Sequence, residues 1–131
     1  MFIDPPNICL VVEFCARGSL DQVLQNPNLQ LTWLDPKLQM ALDTARGMAY
    51  LHKSDIMHRD LKSMNLLVTP TFGIKISDFG ESRTEKPDMT MTTVGSQYWV
   101  APEIIRGDRY DKKVGVLNEI VYASDCDAKS L

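Results

Sequence analysis

The hydrophobic pattern along the chain changes period several times, and each change predicts an element. Ile8-Cys9-Leu10-Val11-Val12 is an unbroken apolar run with β-branched members, entered through Pro5-Pro6-Asn7, and it reads as a buried strand. Gly18-Ser19 follows, and the Ser19 hydroxyl suits the N-cap of a short helix from about Leu20 to Gln25, stopped at Asn26-Pro27. Leu38, Ala41, Leu42, Ala45, Met48, Ala49 and His52 recur at helical spacing and predict the main helix, with one apolar stripe turned to a core. Two starts compete for it: a capping box of Thr32 and Asp35, or Asp35 as cap with Pro36 at the first helical position. The second is preferred, because Pro36 has no N–H to lose there, and the helix should end near Lys53. Leu66-Leu67-Val68 and Ile74-Lys75-Ile76 are short strand candidates separated by Thr69-Pro70-Thr71-Phe72-Gly73, a stretch of turn composition, so the pair reads as a hairpin. From Glu81 to Gly95 the periodicity fades into a long loop rich in Thr, Asp, Lys and Pro, a kind of segment that is usually functional. Gly115 to Leu131 has only a weak pattern, and no internal repeat is evident.

Composition narrows the classes without choosing one. A chain of 131 residues with 44% hydrophobic and 24% charged residues suits a single soluble domain. The net charge of −3 argues against bulk nucleic-acid binding. No apolar run approaches the ~20 residues of a membrane helix, and Met1-Phe2-Ile3-Asp4-Pro5-Pro6 has neither part of a signal peptide. The three cysteines, Cys9, Cys15 and Cys126, are scattered and form no CxxC pair, so neither a zinc site nor a disulfide framework is indicated. A reducing, cytoplasmic setting is the expectation.

The chemistry concentrates in three motifs. His58-Arg59-Asp60-Leu61-Lys62-Ser63-Met64-Asn65 resembles the catalytic loop of the eukaryotic protein kinases. Phosphoryl transfer needs a carboxylate to orient and deprotonate the attacking hydroxyl, a cation against the migrating phosphoryl charge, and oxygen ligands for Mg²⁺. The resemblance gives these roles to Asp60, Lys62 and Asn65. Asp78-Phe79-Gly80 follows after one hairpin, where the family keeps its second magnesium ligand; it implies that Asp78 bridges ATP through the metal and that Phe79 packs inward. Gly95-Ser96-Gln97-Tyr98-Trp99-Val100 and Ala101-Pro102-Glu103 look like the shelf that receives the substrate residue, with Ser96 standing where the family usually has Thr. A single Asp or Lys in a loop is usually just solvated; three motifs in this order and spacing are not a chance match.

The same resemblance extends toward the start of the chain. Leu10 to Leu20 looks like the last strand of the kinase N-lobe and the hinge, with Val12 as gatekeeper. The backbones of Glu13 and Cys15 would then meet the adenine edge, with Ser19 near the ribose and Leu67 as the floor. Lys62 favours Ser/Thr over Tyr acceptors, and Gly47-Met48-Ala49-Tyr50-Leu51-His52 resembles the tyrosine-kinase-like group. Arg59 and Arg83 would receive a phosphate on the polar loop, with Thr92 the first choice of acceptor and Thr90 and Thr93 next.

Parts of the family pattern are not in the sequence. No glycine-rich loop, no Val-Ala-x-Lys strand and no helix bearing its partner Glu precedes the hinge-like segment. After Tyr110-Asp111-Lys112-Lys113-Val114, Gly115 stands where the family has an Asp, and Glu103 has no downstream Arg. The expected fold is therefore α+β: a partial protein-kinase-like fold, mostly a helical C-lobe with short strands, the N-lobe almost absent. Its expected domains are a partial kinase domain over 1–114 and a divergent tail over 115–131, from an alternative exon, read-through or frameshift. The function implied is that of an ATP- and Mg²⁺-dependent protein serine/threonine kinase acting on protein substrates, with little or no activity of this chain alone. The alternative is a non-catalytic interaction or decoy module, or a gene-model fragment. An uncovered stripe on Leu38–His52 would expose side chains worth ~1.5–3 kcal/mol each, which implies marginal stability or a protein partner over that face.

Overall fold

A computed structural model describes residues 2–4, 7–84 and 102–108. Strands β1 (Phe2–Asp4) and β2 (Asn7–Cys9) pair antiparallel, Phe2 opposite Cys9 and Asp4 opposite Asn7. The ladder stops there. Leu10, Val11, Val12 and Phe14 are between 71 and 86% exposed, so the buried strand expected through Val12 is not formed. An apolar run makes a strand candidate, but burial needs a neighbour, and among the described residues none packs on this one.

Helix α1 (Leu20–Leu24) starts from a reciprocal capping box: Ser19 Oγ accepts from the Gln22 amide at 3.3 Å, and Gln22 Oε1 accepts from the Ser19 amide at 3.0 Å. Gly18 makes this entry feasible. Its φ is 74°, and a Cβ there would run into the Gln22 side chain that completes the box.

Helix α2 (Lys37–Lys53) ends where its pattern predicts but starts one residue later. Met40 N–H donates to Pro36 O at 3.0 Å, which makes Pro36 the cap rather than the first helical residue. Thr32 instead closes the preceding turn, donating to Asp35 O at 2.7 Å and accepting from the Asp35 amide at 3.2 Å. The buried face of α2 is Met40, Met48 and Leu51; of the stripe singled out by periodicity, Met48 alone is buried. The helix is apolar on two sides, and the hairpin below chooses between them.

That hairpin follows β3 (Ile56–Met57) and a 3₁₀ turn (Ser63–Asn65): β4 (Leu66–Val68) pairs antiparallel with β5 (Ile74–Ile76), Leu66 opposite Ile76. The expected pairing and turn are both present. Strand β6 (Arg83–Thr84) returns to β3, Met57 opposite Arg83, and α3 (Pro102–Ile105) completes the described elements. The helix and hairpin approach so closely that a Cβ on Gly47 would lie 2.7 Å from Ile76 Cδ1. Val23, Met40, Met48, Leu51, Leu61, Leu66, Val68 and Ile74 form one core between α1, α2 and β4–β5. Val68 and Leu66 are fully buried, each contributing about 1.5–3 kcal/mol on leaving water.

The opposite face of α2 is open. Leu38 and Leu42 are 47 and 43% exposed, and with Trp33, Ala41, Ala45 and His52 they line an apolar groove of about 480 Å³. No described helix is long and apolar enough to cross a membrane.

Candidate active site

The loop 58–65 hangs between two short ladders, β3–β6 before it and β4–β5 after it. Its outer side chains are polar, yet His58, Ser63 and Asn65 are buried, so their polar atoms need partners. Ser77, just after β5, supplies them for His58 and for the Asn65 backbone, while Ser63 Oγ has no hydrogen-bond partner among the described residues. The Ser77 carbonyl accepts from His58 Nε2 at 3.0 Å, and its amide and hydroxyl both donate to Asn65 O at 2.9 Å. With Nε2 as donor, His58 Nδ1 is the acceptor for the Asp60 amide at 3.4 Å, so one tautomer serves both bonds.

This anchoring brings three of the expected residues together. Asn65 N–H donates to Lys62 O at 2.8 Å, closing the 3₁₀ turn and aiming the Asn65 side chain back at Asp60. Asn65 Nδ2 then donates to Asp60 O at 2.8 Å and to Asp60 Oδ2 at 3.0 Å. Lys62 Nζ reaches the same Oδ2 at 2.7 Å. The two charged side chains are only 15 and 13% exposed, so the attraction is poorly screened and neither can lose its partner cheaply. The result is a fixed carboxylate beside a fixed cation. Such a pair can take a proton from a hydroxyl while the ammonium holds developing negative charge.

Asp78 does not join this network among the described residues. It is exposed, with φ of 62°, and its Oδ1 accepts only a long bond, 3.4 Å, from the Gly80 amide. Phe79 was expected to pack inward; it is 47% exposed and leans on the His58 ring at 5.2 Å, tilted by 59°.

Arg59 has a φ of 68°. Its Nε donates to Glu81 O at 2.7 Å and its Nη2 lies 3.8 Å from Glu81 Oε2, with 6% of the side chain exposed. Arg83 is exposed on β6. Glu103 is half-buried in the first turn of α3. Thr92, its neighbours Thr90 and Thr93, and Ser96 lie outside the described residues, as do the tail and its expected boundary at 114.

The hinge-like residues divide into two groups. Ser19 and Leu67 face each other across an isolated bridge, and Cys15 is buried. Glu13 pairs with Lys75 at 3.2 Å on the surface, while Val12 is 71% exposed with nothing described against it. Ser77 and Glu81 escaped the sequence reading. The only signal for either was its position flanking Asp78-Phe79-Gly80.

No three His, Cys, Asp or Glu residues come together as a metal cluster among the described residues. Oxygen donors of the right kind are nevertheless present. Asn65 uses Nδ2 for its hydrogen bonds, which leaves the Oδ1 carbonyl as its oxygen for a hard cation, and Asp78 offers an exposed carboxylate.

Comparison with known proteins gives the same direction. The family described as protein kinase domain matches residues 1–118. The chain is 42% identical over 124 residues to a protein named probable serine/threonine-protein kinase drkA from Dictyostelium discoideum, a match covering 93% of this chain. It is 45% identical over 122 residues to drkC of the same organism, with 88% of the chain covered. A protein with the same kinase designation from Arabidopsis thaliana is 46% identical over 116 residues, 86% of the chain. The chain spans 19, 16 and 11% of the lengths of these three proteins, respectively.

Proposed function

The chain belongs to the protein kinase domain family, and from that premise we propose that Asp60 is the centre of a serine/threonine phosphotransfer site. The observation that carries the reading is Asp60 Oδ2 held at once by Lys62 Nζ at 2.7 Å and Asn65 Nδ2 at 3.0 Å. In this reading Asp60 orients the acceptor hydroxyl of a protein Ser or Thr and takes its proton. Lys62 lies against the charge that builds on the transferred group. ATP supplies the γ-phosphate, and Mg²⁺ draws charge from it when bound.

The donor chemistry fits those ligands. Mg²⁺ typically takes one or two protein oxygens beside phosphates and water, and Asn65 Oδ1 with the Asp78 carboxylate is such a set. The adenine edge falls to the backbones of Glu13 and Cys15, with Ser19 near the ribose, Leu67 beneath the base and Val12 as gatekeeper. Gly47-Met48-Ala49-Tyr50-Leu51-His52 supports assignment to the tyrosine-kinase-like group. Arg59 and Arg83 are the proposed receivers of a phosphate on Thr92, and Ser96 and Glu103 belong to the substrate shelf. In lobe terms, α1, α2 and β3–β6 are C-lobe elements.

Phosphoryl transfer depends mostly on positioning, so nucleotide binding is the first property the reading requires. The open groove on α2 favours a second reading, a non-catalytic module that binds a protein partner. Titration with Mg·ATP, followed by phosphotransfer to a generic protein substrate with Asp60→Asn as control, separates the two. Nucleotide binding and Asp60-dependent transfer support the kinase; partner binding without nucleotide binding supports the module.

A further inference from the structure

Arg17 is absorbed neither by the catalytic loop nor by the core, yet it makes more contacts between separate parts of the chain than any surface charge needs. Its guanidinium carbon lies 3.8 Å from the centre of the Phe72 ring, a close cation–π stack. Its Nε donates to Pro70 O at 2.9 Å, across 53 residues of sequence. Its own backbone amide donates to Val68 O at 3.3 Å, and next to it Val68 N–H donates to Gly18 O at 2.8 Å. One residue thus grips both strand end and turn of the β4–β5 hairpin.

The turn is shaped to receive it. Phe72 has φ of 62°, a left-handed conformation that a bulky aromatic residue rarely takes unless its surroundings impose it. The amide of Phe72 bonds Thr69 O at 3.0 Å, and Thr69 N–H bonds Gly73 O at 2.9 Å. Thr69 Oγ1 accepts from the Gly73 amide, also at 2.9 Å. These bonds hold the ring in place beneath Arg17. On the other side, Gly18 N–H donates to Cys15 O at 3.1 Å, so the turn from Cys15 to Gly18 moves with the arginine.

We infer that Arg17 is a positioning residue for nucleotide affinity: it clamps the Cys15–Ser19 turn onto the β4–β5 hairpin and so fixes the spacing between the backbone of Cys15 and Leu67. The inference rests on the proposed nucleotide site but adds a residue to it that itself touches no nucleotide. Its geometry explains why an arginine stands there. A lysine offers no planar face for the Phe72 ring and no Nε donor directed at Pro70.

The test uses the full 131-residue chain. Equilibrium titration with a fluorescent ATP analogue and Mg²⁺ compares wild type, Arg17→Ala, Arg17→Lys and Phe72→Leu. Hydrogen exchange at the Gly18 and Val68 amides is measured alongside thermal melting. Loss of the stack and one hydrogen bond should weaken binding about fivefold to tenfold in Arg17→Ala, with Arg17→Lys failing to restore it. Phe72→Leu, which keeps apolar bulk, should weaken binding in the same sense. Exchange at both amides should quicken while the melting temperature of the core stays within about 3 °C of wild type. Arg17→Ala binding as tightly as a wild type that does bind overturns this inference alone. A wild type that binds no Mg·ATP overturns the proposed function and this inference with it. A change in melting temperature without a change in affinity assigns Arg17 to stability and also overturns it.

Discussion

Replacing His58 tests whether the loop 58–65 is held from beneath by Ser77. The side chain is 2% exposed and carries two hydrogen bonds, to Ser77 O at 3.0 Å and from the Asp60 amide at 3.4 Å, with Phe79 leaning on its ring. His58→Phe keeps ring volume and removes both nitrogens. It leaves the half-buried Ser77 carbonyl without its donor, at a cost of about 1 kcal/mol and at most about 3 kcal/mol, the penalty of a fully buried unpaired acceptor. The weak bond to the Asp60 amide adds little, since 3.4 Å is beyond the usual range. His58→Ala adds a cavity, for a total of about 3–5 kcal/mol. Urea denaturation followed by far-UV circular dichroism reads both values. On a domain of about 5–15 kcal/mol, the alanine variant approaches its unfolding midpoint near zero urea if the wild type is at the lower end. If His58→Phe matches wild type within about 0.5 kcal/mol, the Ser77 bond is not holding the loop, and the description of its anchoring is wrong.

Three further outcomes follow from the same geometry. Leu66→Ala, at 1% exposure, should lose about 2–5 kcal/mol by chemical denaturation, whereas Glu13→Ala, which breaks only the exposed pair with Lys75, should change stability by at most about 1 kcal/mol. Ser19→Ala removes the acceptor of the α1 capping box and should cost about 0.5–2 kcal/mol, visible as a lower urea midpoint with an unchanged slope. With the α2 groove open, the purified chain should melt below about 50 °C; a reversible, cooperative melt above that temperature would mean the groove is covered in solution.

Local signals in the sequence were legible wherever a short-range rule decides the structure. Ser19 and Gln22 make a box from their own spacing, and the Thr69–Gly73 turn closes a hairpin only five residues wide. The spacing of Asp60, Lys62 and Asn65 likewise suffices, because a single 3₁₀ turn brings them together. Long-range choices were not legible. Periodicity on α2 picked a stripe from Leu38 to His52 that shares only Met48 with the buried face of Met40, Met48 and Leu51, beside which Gly47 permits close approach of the hairpin. Leu10–Val12 looked like a buried strand because apolar content says nothing about whether a neighbour exists. Ser77 and Arg17 were missed for a related reason: their partners lie 19 and 53 residues away in sequence, at His58 and Pro70. No pattern within a window reveals such bonds.

If the oriented Asp60 carboxylate serves phosphoryl transfer, single-turnover transfer from γ-labelled Mg·ATP to a generic Ser/Thr-containing protein depends on it. The comparison is between the wild-type chain and Asp60→Asn, which keeps the side chain's size but cannot take the proton. Wild type is expected to transfer faster than the variant by about 100-fold or more, the usual contribution of a positioned base. Equal rates in the two proteins would show that Asp60 is not the base.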